Sequence, residues 1–150
     1  MSSLVELKHI SKIYQSGDEK LFALNDLNLT IEEGEFVAIM GTSGSGKSTL
    51  MNIMGALDRA TSGEYLLQGV PVQSMGDGRL SQLRNQKIGF VFQSFNLLPR
   101  YTAVQNVEVP LIYARVPVAK RRQMAIEALN RVGLGARLTH RPTQLSGGQQ

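Results

Sequence analysis

The sequence predicts an α/β fold: a strand, a glycine loop and a helix at the core, an antiparallel β region ahead of them and a helical region behind. Three observations carry this. The apolar run "FVAIM" (residues 36–40) passes directly into "GTSGSGKS" (41–48) and then into a stretch of helical periodicity. Ahead of it the apolar residues recur at every second position; well beyond it they recur at helical spacing.

Taken in order, "VELKHI" (5–10) starts with the alternation of a half-exposed strand, and "LNLTI" (27–31) sets Leu27, Leu29 and Ile31 on one face of another. "SGDEK" (16–20) is the polar turn between them. "EFVAIM" (35–40) is a continuous apolar strand of the kind buried on both faces in a parallel sheet. "KSTLMNIMGALD" (47–58) is a helix with Leu50, Ile53, Met54 and Leu57 at helical spacing. "TSGEYLLQGVPV" (61–72) reads as a hairpin with turns at Ser62-Gly63 and Gln68-Gly69. A short helix, "GRLSQLRNQ" (78–86), leads to a further apolar strand, "IGFVF" (88–92). Thr102 and Gln105 have the spacing of a capping box. "PVAKRRQMAIEALNRVGLG" (117–135) is a helix with Ala125, Leu129 and Val132 on one face and Gly133 as its stop. Lys120, Arg121 and Arg122 are its wet face. The organisation is one domain over 1–150, with a β-rich region and core over 1–93 and a helical subdomain over 94–150.

At 150 residues the chain is long enough to bury one core, and 42% hydrophobic with 19% charged residues is an ordinary globular composition. No stretch approaches the ~20 apolar residues of a membrane span. Glu6 and Lys8 sit where an export signal needs an apolar segment. The absence of cysteine fits a reducing compartment and excludes disulfides and thiolate metal sites. These features predict a cytoplasmic chain. The net charge of +4 fits either an anionic partner or a solvated surface, and does not choose between them.

The chemistry concentrates in residues 41–48, which match G-x-x-x-x-G-K-[ST]. Gly41, Gly44 and Gly46 allow backbone angles and close approaches that side chains obstruct. The N–H groups of Thr42, Ser43, Ser45 and their neighbours through Thr49 then converge on phosphate oxygens at the positive end of the next helix. Lys47 brings a mobile charge to the outer phosphates, and the Ser48 hydroxyl is a natural Mg2+ ligand. A buried strand before the loop and an amphipathic helix after it are the context that makes this a nucleotide site.

Three further stretches carry a family resemblance: "GTSGSGKSTLMNIMGALDRATSGEYLLQG", "IGFVFQSFNLLPRYTAVQNVEVPLIYA" and "QLSGGQQ". Together they resemble the ATP-binding subunit of ABC transporters over essentially the whole chain, most closely the group serving macrolide export and lipoprotein release (MacB-like and LolD-like proteins). The fold so implied is a P-loop NTPase core with an N-terminal antiparallel β region and a helical subdomain. The resemblance implies that Tyr14 stacks on adenine and that Gln93 contacts Mg2+ or the attacking water. It implies a catalytic part for Lys47 and Gln93. Ser146, Gly147, Gly148 and Gln149 would touch ATP bound to a second copy of the subunit, paired head to tail. ATP and Mg2+ are the implied cofactors, a membrane permease the implied partner, and the cytoplasmic face of the membrane the implied location. No nucleic-acid partner is expected.

The same resemblance places an aspartate, a glutamate and a switch histidine after residue 150. His9 and His140 lie ahead of those positions and are read as structural or exposed. The expectation is therefore an N-terminal portion of a longer ATPase, inactive alone and missing neighbours for "FVAIM". Two other readings stay open: a nucleotide-binding module that does not hydrolyse, and an ABC-type chromosome or repair ATPase. The latter commonly carries long coiled-coil insertions before the signature segment, and none is present.

Overall fold

The computed structural model describes residues 3–150, which divide into two compact units, one running to Arg84 and a second over Asn85–Gln150. In the first unit, strands β1 (Ser3–Ser16), β2 (Glu19–Glu32), β3 (Ser62–Leu67) and β4 (Val70–Pro71) form one antiparallel sheet in the order β2-β1-β3-β4. The polar turn at Gly17-Asp18 joins β1 to β2 as the sequence predicts, but both strands are 14 residues long and extend well past the alternating stretches.

The register explains the core. Leu7 lies opposite Leu29 on one side and Tyr65 on the other, and Val5 lies between Ile31 and Leu67. Val5, Leu7, Ile31, Tyr65 and Leu67 are buried. Both ladders then slip between Leu7 and the residues that follow, where His9 takes a positive φ of 53°. An extra residue in a strand exchanges its two faces. Ile10, even-numbered, is accordingly the next fully buried residue after odd-numbered Leu7.

Gly63 stands at this slip. The sequence reading makes Ser62-Gly63 a turn; in the structure Ser62 already pairs with Ser11 and both residues belong to β3. Gly63 has φ of 95°, and a Cβ there would run into the carbonyls of His9 and Lys8. The glycine serves a bulge, and the turn that closes the β3–β4 hairpin is Gln68-Gly69, both at positive φ.

Helix α1 (Lys47–Met54) buries Leu50 and Ile53; it ends at Met54, so Leu57 lies past it and is exposed. The buried Tyr65 hydroxyl donates to the Met54 carbonyl at 2.7 Å, satisfying one of the acceptors that a helix end leaves free. Burial pushes the Tyr65 phenol up to about 12. Helix α2 (Asp77–Lys87) follows, with Leu80 buried.

Two predicted strands are not strands here. Residues 36–40 and 88–92 are in no sheet, and Phe36, Met40 and Val91 are almost wholly exposed. An apolar sequence favours extension, but a strand exists only through hydrogen bonds to a neighbour. Among the described residues the one sheet ends at β2 and β4, and no strand runs beside either segment. The Phe90 and Phe92 rings, two residues apart, stack on each other with centroids 5.3 Å apart.

The second unit is built on α3 (Ala103–Tyr113) and α4 (Val118–Arg131), packed through Ala103, Val104, Ala125 and Leu129 with Val107, Ile126, Leu134 and Leu138 against them. The predicted capping box is present. Gln105 N donates to Thr102 Oγ1 at 3.4 Å, and Thr102 N donates to Gln105 Oε1 at 2.8 Å. Helix α4 stops at Arg131, with Gly133 at φ of 77° just beyond. Val132 falls outside the helix and is exposed, so it does not share the buried face of Ala125 and Leu129.

Candidate functional site

Gly41, Thr42, Ser43, Gly44 and Ser45 form an exposed loop that opens α1 through Gly46. Gly46 is the N-cap, in the left-handed region at φ of 87°, and no side chain caps the helix there. The Leu50 N–H bonds back to the Gly46 carbonyl at 2.9 Å. That bond starts the ladder and leaves the amides of Lys47, Ser48 and Thr49 ahead of it. The first turn contains no acidic residue, so nothing in it offsets the positive end of the helix.

Gly46 is also where the loop is seated. A Cβ at this position would run into the Ala23 carbonyl and come within 3.0 Å of Leu24 Cδ2. The loop therefore rests on the backbone of β2, and only glycine fits. At Gly41 a Cβ would meet Ser45 Oγ at 2.6 Å, a contact inside the loop itself. Lys47 Nζ donates to the carbonyls of Gly41 at 2.9 Å and Thr42 at 2.6 Å. Its ammonium thus lies along the inside of the loop, and no carboxylate among the described residues pairs with it. The Ser48 hydroxyl is exposed in the first turn, open to a ligand.

Tyr14, near the end of β1, keeps about two fifths of its surface exposed. Its hydroxyl donates to Asp58 Oδ2 at 3.0 Å. Lys12 Nζ donates to Asp58 Oδ1 at 2.7 Å and to the Arg59 carbonyl at 2.8 Å, and lies 4.9 Å from the centre of the Tyr14 ring. Burial pushes the Asp58 carboxyl up, but the Lys12 ammonium, the Tyr14 hydroxyl and the Arg59 amide outweigh it and hold it below its ordinary value of 3.8. The sequence reading gives neither Lys12 nor Asp58 a role. Lys12 had a faint signal, standing two residues before Tyr14 on one strand; Asp58 had none.

In the second unit Gln93 is exposed in a turn, followed by Phe95 and Asn96, both at positive φ. The signature residues Gly147–Gln149 form a single 3₁₀ turn introduced by Ser146, whose N–H donates to Gln149 Oε1 at 3.1 Å. The two segments meet: a Cβ on Gly147 would lie 3.9 Å from Phe95 Cζ. Asn106, given no role by the sequence reading, fastens the stretch between Gln93 and α3. Its side chain accepts from Leu98 N at 2.8 Å and donates to Leu98 O at 3.2 Å, Tyr101 O at 3.3 Å and Thr102 O at 3.1 Å. His9 pairs with Asp26 at 2.7 Å in the exposed bulge, and His140 with Arg137 at 2.9 Å.

The family described as ABC transporter matches residues 24–150. An uncharacterised ABC transporter ATP-binding protein of Thermotoga maritima is 57% identical over all 150 residues, which span 64% of its own length. The macrolide export ATP-binding/permease protein MacB of Brucella abortus is 55% identical over 98% of this chain and 23% of its own. Among solved structures, the dimeric ATP-binding cassette MJ0796 in a post-hydrolysis state with ADP and Pi superposes with a TM-score of 0.88. It is 48% identical over 97% of this chain and 64% of that one.

Proposed function

This chain belongs to the ABC transporter family as an ATP-binding protein, and from that premise we propose that it carries the nucleotide grip of an ATP-hydrolysing subunit that drives a membrane permease. The observation that carries the reading is the loop from Gly41 to Thr49. It is glycine-shaped, seated on β2, lined by the Lys47 ammonium and continued by a helix whose first amides have no side-chain cap. Such a site suits the β- and γ-phosphates of a nucleotide.

Each proposed part follows from its chemistry. Lys47 swings from the Gly41 and Thr42 carbonyls to the phosphates, where a charge-assisted bond is stronger than a neutral one. The exposed Ser48 hydroxyl fits Mg2+, which prefers oxygen ligands and retains phosphate oxygens and water beside them. Once bound, the ion neutralises charge on the transferring phosphoryl group. Tyr14 offers its ring to adenine. Gln93, exposed and both donor and acceptor, is assigned to the metal or the attacking water. Ser146, Gly147, Gly148 and Gln149 are assigned to ATP held by a second copy. The dimeric state of the MJ0796 cassette supports pairing with a second copy, which we take to be head to tail.

The MacB relatives, named as ATP-binding/permease proteins for macrolide export, support a permease partner and an export role. No described helix is long and apolar enough to cross a membrane. With a permease as partner, the location we propose is the cytoplasmic face of the membrane. Turnover of ATP by the full-length protein tests the reading, and Lys47→Ala should abolish it. Unchanged turnover in that variant removes Lys47 from the site.

A further inference from the structure

Lys12, Asp58 and Tyr14 form a closed group that the phosphate grip does not use. Asp58 places one oxygen on the Lys12 ammonium at 2.7 Å and the other on the Tyr14 hydroxyl at 3.0 Å, and Lys12 lies over the Tyr14 ring at 4.9 Å. The Lys12 side chain is only 13% exposed, while Tyr14 keeps 41% of its surface open. One side of the ring is thus occupied by a fixed cation, and the hydroxyl is tied. The face away from Lys12 is the one left for a flat ligand.

The group is built by the fold. The bulge at His9, admitted by Gly63, brings Ile10 to the covered face, and the β1–β2 ladder slips again on either side of Lys12, whose side chain lies largely covered. Asp58 arrives from the far end of α1, where its N–H bonds to the Asn52 carbonyl at 3.2 Å. The other end of α1 begins at Gly46, seated on Ala23 and Leu24, and Leu24 pairs with Lys12 across the sheet. One short helix of eight residues, ~12 Å long, therefore ties phosphate loop and aromatic ring to the same strand pair.

We infer that Lys12 and Asp58 are positioning residues for the base: they hold the Tyr14 ring at a set tilt and leave one face to receive adenine. This rests on the reading of Tyr14 as the stacking residue. An ammonium on one face of an aromatic ring is held by the ring's quadrupole, and a carboxylate taking two donors fixes both. A ring already held in place loses less freedom when the base docks.

The test compares two probes on the full-length protein by titration calorimetry: MgATP, which uses ring and loop, and inorganic tripolyphosphate with Mg2+, which uses the loop alone. Tyr14→Ala should weaken ATP roughly tenfold, the size of one lost base–aromatic stack, and leave tripolyphosphate unchanged. Lys12→Met and Asp58→Asn should each weaken ATP about threefold with the same selectivity, as expected when ring ordering is lost. Lys12→Met added to Tyr14→Ala should then change nothing more, and Lys12→Arg should restore most of the affinity.

If Tyr14→Ala weakens ATP selectively while Lys12→Met and Asp58→Asn do not, the positioning role is overturned and the stacking reading survives. If Tyr14→Ala leaves ATP binding intact, the stacking reading itself fails. If either positioning variant weakens both probes together, the group is structural and the inference is wrong. Should Asp58→Asn not fold, Lys12→Met and its combination with Tyr14→Ala decide by the same criteria.

Discussion

Two glycine segments of this chain are assigned to nucleotide phosphates, one to its own ATP and the other to ATP held by a second copy, and they are built in opposite ways. Gly41 to Thr49 is locked: Gly46 sits at φ of 87° with no room for a methyl group, an eight-residue helix follows, and Lys47 lies inside. Ser146 to Gln149 is a single 3₁₀ turn; a Cβ on Gly148 would meet nothing within 4 Å, and none of its residues is charged. The difference teaches a division of labour. The locked segment is suited to hold a ligand by its own geometry; the open one is suited to complete a site formed elsewhere, so its effect should surface only when two copies meet.

The largest break in that contrast is Lys47→Ala. Removing a charged donor of this kind should weaken ATP binding by about ten- to a hundredfold and stop turnover, read by calorimetry and phosphate release. No single change at 146–149 should do this to the isolated subunit. Next is a matched pair of glycine substitutions. Gly46→Ala should cost about 1–3 kcal/mol of stability, through positive φ and the contact with the Ala23 carbonyl. Gly148→Ala should stay within about 0.5 kcal/mol yet reduce ATP-dependent dimerisation. Thermal unfolding and sedimentation separate the two, and equal destabilisation would erase the distinction drawn here.

Asn106→Ala should cost about 1–3 kcal/mol by freeing backbone groups of Leu98, Tyr101 and Thr102. It should also raise hydrogen exchange in 98–102 without changing ATP affinity in the first unit. The smallest effect is acidic. Because the folded Asp58 carboxyl lies below 3.8, its contribution is present above that pH and lost as pH falls through the lower folded value. Acid unfolding of Asp58→Asn should lack that part of the limb; an identical pH profile would show that Asp58 adds nothing.

The sequence made the locked segment legible because its signal is local: a turn, a cation and a helix start lie within nine consecutive residues. The same holds for the Thr102–Gln105 box and for the Gln68-Gly69 turn. What it misread depended on distant neighbours. "FVAIM" has every propensity of a buried strand and is expected to lack neighbours; with none of the described strands beside it, it forms no strand at all. Gly63 looked like a turn because the pattern shows a glycine and not the His9 carbonyl facing it. Asp58 and Asn106 were invisible for the same reason. A carboxylate or amide after a helix or within one looks solvated until the groups it bonds are known.

The chain contains no tryptophan, so its near-ultraviolet spectrum comes chiefly from its four tyrosines, with five weakly absorbing phenylalanines beside them. One of them, Tyr65, is sealed between the sheet and the last carbonyl of α1, with its ionisation displaced to about 12. Its phenolate band on alkaline titration is therefore a native optical gauge of whether the phosphate-loop helix is seated. When that contact opens, the phenol meets solvent and its band grows at a lower pH.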